Sequence, residues 1–96
     1  AIEHNKVYRN DDGLSLYETD EATVSHNDSF DQLVYDGIYA DAASERNTIS
    51  YNDTYRNAEH DCHDDSNGTG TAGTANTWSK NKGTTQNRPG LCKSTG

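Results

Sequence analysis

"TVSHN" at 23–27, "TISYN" at 48–52 and "TWSKN" at 77–81 share one pattern: Thr, a large apolar residue, Ser, a variable residue, Asn. "AIEHN" at 1–5 is a looser copy, so Asn5, Asn27, Asn52 and Asn81 recur at intervals of 22, 25 and 29 residues. Two further registers run in step with this one. Three residues after the Asn stands an aromatic, Tyr8, Phe30 or Tyr55, twice within the tripeptide "YRN" at 8–10 and 55–57. "DGL" at 12–14 matches "DGI" at 36–38, and "HDC" at 60–62 takes the same place. Self-similarity with a period in the twenties, short β-type runs and Asn at one fixed turn is the signature of stacked coils.

The repeat overrides what composition alone suggests. Only 11 of 96 residues are Leu, Ile, Val or Phe, and the formal charge is −8, values that otherwise describe a disordered chain. In a parallel solenoid each coil pairs with the next at about 4.8 Å, so equivalent residues stack directly. Ile2, Val24, Ile49 and Trp78 then form one inward column, and Leu14, Ile38 and Cys62 another. Stacked Asn side chains hydrogen-bond from coil to coil as a ladder, which satisfies buried amides where apolar groups are scarce. His4, His26, Tyr51 and Lys80 stack beside that ladder as ordinary coil positions.

Charge and composition exclude several function classes. The net negative charge argues against nucleic acid, whose phosphates are bound by Lys and Arg. No apolar run is long enough to span a bilayer. Cys62 and Cys92 have 29 residues between them, and a disulfide closing that loop contributes roughly 3–4 kcal/mol by restricting the unfolded chain. Zinc ligation is the weaker alternative, because a structural site needs four N or S ligands. A disulfide implies an oxidising compartment, secreted or at the cell surface.

The Asn-rich coils, "DGIYADAASERNTISYN" and the closing "DCHDDSNGTGTAGTANTWSKNKGTTQNRPGLC" resemble the last coils of right-handed parallel β-helix repeat proteins of the pectate-lyase-like superfamily. The resemblance implies an all-β, right-handed parallel β-helix of three to four coils, with coils over 1–78 and a disulfide-tied C-terminal cap and tail over 79–96. Trp78, Pro89-Gly90 and Cys92 mark the cap. The first coil starts inside the repeat, so its expected partner is either preceding coils of the same chain or a stacked copy.

"EHDCHDDSNGTG" at 59–70 is the chemically richest stretch. Strand alternation that turns Leu14, Ile38 and Cys62 inward turns Ser15, Tyr39 and His63 outward, with Tyr17, Asp41 and Asp65 two positions on. Asp64 would face inward opposite Leu16 and Ala40, at a cost for a charge, so the strand is expected to end there with Asp64 binding loop backbone. Three site readings follow. In the first, the outward face processes an acidic polysaccharide or cell-surface glycan as a lyase or uronate epimerase, with His63, Asp61, Asp65 and Tyr39 catalytic and Tyr17, Tyr39 and Asp41 binding substrate. "DCHD" at 61–64 is similar to the Asp-Pro-His-Asp motif of alginate epimerases, with Cys62 in place of Pro; that resemblance implies catalytic roles for Asp61 and His63 and gives Asp64 the motif's last position. In the second, metal is bound: calcium by Asp41, Asp64 and Asp65, or zinc or copper by His60 and His63 as in a metal-accessory protein. In the third, the stretch is a turn and a disulfide post in a non-catalytic structural or adhesive module that terminates a longer solenoid.

Overall fold

Each coil is built from runs of two or three extended residues joined by corners that each hold at least one residue in the left-handed conformation. The computed structural model, which describes residues 1–94, has ten such strands: β1 (Ile2–Glu3), β2 (Lys6–Tyr8), β3 (Leu14–Leu16), β4 (Thr23–Ser25), β5 (Asp28–Phe30), β6 (Ile38–Ala40), β7 (Thr48–Ser50), β8 (Asp53–Tyr55), β9 (Cys62–Asp64) and β10 (Thr77–Ser79). They pair in parallel into three sheets, β1-β4-β7-β10, β2-β5-β8 and β3-β6-β9, forming a right-handed parallel β-helix. The registers follow the repeat: Val24 pairs with Ile2 and Ile49, Ile49 with Trp78, Phe30 with Tyr8 and Tyr55, and Ile38 with Leu14 and Cys62.

The corners explain the Asn period. His4, His26, Tyr51 and Lys80 have φ of 57°, 56°, 57° and 56°, and each directly precedes a ladder asparagine. A non-glycine residue in this region costs roughly 1–2 kcal/mol, and the ladder offsets it. The N–H and Nδ2 of Asn27 donate to Asn52 Oδ1, both at 3.0 Å, and those of Asn52 donate to Asn81 Oδ1 at 3.0 and 2.9 Å.

Two more ladders run along the other corners, and the sequence reading found only the first. Gln32 and Asn57 follow the left-handed residues Asp31 and Arg56, and Asn47 follows Arg46. Asn10 N–H donates to Gln32 Oε1 at 3.0 Å and Gln32 N–H to Asn57 Oδ1 at 3.2 Å. Ala22 N–H donates to Asn47 Oδ1 at 2.8 Å, and Asn47 Nδ2 to Asn76 Oδ1 at 2.9 Å. Both of these ladders end on a carboxylate. Asn57 Nδ2 donates to Asp61 Oδ1 at 2.9 Å, and Asn76 Nδ2 to Asp64 Oδ2 at 3.0 Å.

The interior is a thin apolar column of Leu16, Val24, Ile38, Ala40, Ile49, Cys62, Trp78, Leu91 and Cys92, with Ile2 and Leu14 packed against it. Beyond β10 the chain crosses the end of the sheets through single parallel bridges, Asp53 to Lys82, Cys62 to Gln86 and Lys82 to Lys93. Leu91, 1% exposed, closes the apolar column there. Cys62 and Cys92 form a disulfide with Cα atoms 6.3 Å apart, in the usual range.

Candidate metal centre

The outward face of β3-β6-β9 carries the chemistry. Ser15, Tyr39 and His63 are in register across it, as alternation from the inward column requires. Tyr39 and His63 meet edge to face with ring centroids 4.9 Å apart, and Tyr17 tilts against Tyr39 at 5.7 Å. These residues, with Asp12, Tyr35, Asp36, Glu59 and Asp65, line a cleft of about 380 Å³.

The corners beside this face bring in groups that strand alternation did not identify. Asp36 lies just before β6; Glu59 and His60 lie just before β9, one coil further on. Gly37 keeps the two corners close, since a Cβ there would stand 2.7 Å from Asp61 O and 2.6 Å from Asn57 Nδ2. As a result Asp36 Oδ1 accepts the His60 backbone N–H at 3.1 Å, lies 3.1 Å from His63 Nδ1 and stands 3.7 Å from His60 Nδ1. Glu59 Oε1 is 3.3 Å from His63 Nδ1. Donor atoms of Asp36, Glu59, His60 and His63 all lie within 4.8 Å of one another, the one such His/Cys/Asp/Glu group among the described residues.

His63 is held from behind. Its Nε2 is 2.9 Å from Asp65 Oδ1, and the Tyr39 hydroxyl donates to Asp65 Oδ2 at 2.9 Å. A histidine whose second ring nitrogen meets a carboxylate has its ring orientation fixed and its basicity raised, the usual support of a metal-ligating imidazole. Burial pushes the Asp36 carboxyl up to about 6, against the opposing effect of the His63 hydrogen bond and charge. Burial draws the His63 imidazole down, but its hydrogen bonds and charge interactions with Asp36 and Asp65 outweigh that and raise it. The Tyr39 phenol is raised well above its ordinary value, first by burial and then by Asp65.

Two observations fit this group to a metal ion such as copper. His60 Nδ1 is a buried nitrogen with no hydrogen-bond partner, aimed beside two carboxylates and a second imidazole. Such an orphaned polar atom is costly unless something else engages it. The donor set is two imidazole nitrogens and two carboxylates, a mixed N,O set of the type that suits Cu(II).

The other residues singled out in the sequence fall into separate roles. Asp61 is 2% exposed and accepts N–H groups of Thr84 and Thr85 on Oδ2, at 2.8 and 3.2 Å, besides its ladder bonds. Asp64 is the last residue of β9, where the strand was expected to end, and its expected contact with loop backbone holds through Ser66 N–H at 2.8 Å; its side chain nevertheless stays inside the solenoid, fully buried. The Ser66 hydroxyl, Trp78 Nε1 at 2.7 Å and Asn76 Nδ2 complete its partners, so this buried carboxylate is satisfied inside the solenoid. Asp41 accepts N–H groups of Glu18 and Ala43 at 3.1 Å each and the Ser44 hydroxyl at 2.8 Å. Those bonds outweigh its desolvation and hold its carboxyl below the usual range.

The calcium expectation is therefore corrected. Asp64 is interior and Asp41 caps a turn, leaving Asp65 alone of the three at the cleft. The cleft lining also contains no Lys or Arg, so a uronate carboxylate would meet Asp12, Asp36, Glu59 and Asp65 without a cation. Asp36 and Glu59 are the site residues that the sequence reading missed. The signal was present in the repeat, because Asp36 shares the register of Asp12 and His60, and Tyr35 that of Glu59.

No curated protein and no solved structure matches the chain. A family model does, over residues 1–90, described as periplasmic copper-binding protein (NosD), and the chain belongs to that family.

Proposed function

We propose that this chain is a copper-accessory β-helix module that binds the ion at the corner of its third sheet, through His60 and His63 with Asp36 and Glu59. The observation that carries this reading is the buried, unpartnered His60 Nδ1 within 4.8 Å of the other three donors. The family description, periplasmic and copper-binding, supports an exported protein in a compartment where the Cys62–Cys92 disulfide persists. No helix among the described residues is long and apolar enough to cross a membrane.

The chain's own groups have separable tasks in such a site. His60 and His63 offer neutral imidazole nitrogens, Asp36 and Glu59 supply negative charge, and Asp65 with Tyr39 orients His63. The net charge of −8 favours approach of a cation from solution. Calorimetric titration with Cu(II), paired with electron paramagnetic resonance, tests the reading. Expected is one tight equivalent per chain with nitrogen hyperfine structure, weakened by at least ~100-fold in His60→Ala and His63→Ala (about 2.7 kcal/mol) with the folded circular dichroism spectrum retained. Equal affinity in wild type and both variants would remove this site from consideration.

A further inference from the structure

We infer that the site discriminates by oxidation state, taking cupric copper in preference to cuprous; this rests on the copper reading above. The chain contains no Met, and both of its cysteines are joined in the Cys62–Cys92 disulfide. No thiolate or thioether is therefore available anywhere in the 96 residues. Soft sulfur ligands select Cu(I), whereas imidazole and carboxylate suit the harder dipositive ion.

Charge acts in the same direction. When ionised, Asp36 and Glu59 balance a dipositive ion and over-neutralise a monopositive one. The excess would sit against Asp36, 3% exposed, where an uncompensated charge is poorly solvated. Nothing in the cleft lining relieves it, since the other carboxylates there are Asp12 and Asp65 and the lining contains no Lys or Arg. Asp65, by accepting from His63 Nε2, further strengthens the imidazole as a donor to the more highly charged ion. Without the carboxylates two imidazoles remain, a set that would hold either ion, so the carboxylates are the discriminating elements.

The test is anaerobic competition on the full chain, with bicinchoninate as the probe for Cu(I) and nitrilotriacetate as the probe for Cu(II). Cu(II) is expected to bind about 100-fold more tightly, which lowers the potential of bound copper by about 120 mV relative to the aqueous couple, at 59 mV per decade. Glu59→Gln is the informative variant, because the Glu59 side chain is 45% exposed and its replacement leaves the core untouched. It should weaken Cu(II) about tenfold and leave Cu(I) nearly unchanged, so the ratio contracts. Cu(I) binding as tightly as Cu(II) would overturn the inference while leaving the copper reading intact. Equal weakening of both ions in Glu59→Gln would also overturn it. Binding of neither ion would remove the copper reading and this inference together.

Discussion

At the scale of single residues, the Tyr39–Asp65–His63 chain distinguishes a positioned imidazole from one that merely lies on the surface. Asp65→Asn and Tyr39→Phe leave the four donor groups in place and change only what stands behind His63. Each is expected to reduce Cu(II) affinity by about 10–100-fold, the usual effect of losing such a partner, with altered copper hyperfine coupling as the accompanying signature. Protons compete for the same groups. Asp36 rises to about 6 from an ordinary 3.8, so the folded state binds its proton more tightly and stability falls as pH increases from about 4 to about 6. His63 is also raised, so its contribution is full below about 6.5 and is lost as pH climbs through the folded value. Both shifts make the metal-free protein less stable at pH 7.5 than at pH 5.5. Copper reverses the trend because it requires the deprotonated groups. Thermal midpoints with and without Cu(II) check both signs: the copper-induced rise should be larger at pH 7.5, where the metal-free midpoint is lower.

At the scale of elements, the corners add buried side-chain ladders to the backbone pairing of the strands. Asn52 illustrates this. Its amide accepts the N–H and Nδ2 of Asn27, and donates to Val24 O and Asn81 Oδ1, all within a buried corner. Asn52→Ala strands several buried polar groups, each worth roughly 1–3 kcal/mol, so a loss of about 3 kcal/mol or more is expected. Asn10, exposed at the start of the second ladder, takes part through its backbone N–H, and Asn10→Ala should change stability by under about 0.5 kcal/mol. Urea denaturation of the two variants measures the difference; equal losses would mean that the ladders are passive. Gly37→Ala belongs at the same scale. Its Cβ would meet the Asp61 carbonyl and the Asn57 amide, so the third coil must shift, and with it the spacing of Asp36 from His60. The variant should lose stability and copper affinity together.

At the scale of the whole molecule, an extent of 30 × 26 × 22 Å and a narrow apolar column leave little hydrophobic reserve, and the last coil relies on its disulfide. Reduction of Cys62–Cys92, 30 residues apart, should cost about 3–4 kcal/mol through loop-closure entropy, read as a lower thermal midpoint in reductant. The β-helix and its registers were legible in the sequence because a solenoid compares each coil with its neighbour, and stacking then places Val24 on Ile49 or Tyr39 on His63 without further information. The Asn5–Asn81 column was legible for the same reason. The Gln32–Asn57 and Asn47–Asn76 ladders were not, since Gln replaces Asn in one, Ala22 interrupts the other, and the coils differ in length. The disulfide and the outward Tyr39–His63 pair were also within reach of the sequence. Convergence of His60 and His63 with Asp36 and Glu59 was decided only by the tertiary structure. Alternation predicts which face a strand residue takes, but Asp36, Glu59 and His60 are corner residues, whose directions depend on backbone angles at the turn and on how closely Gly37 lets successive coils approach.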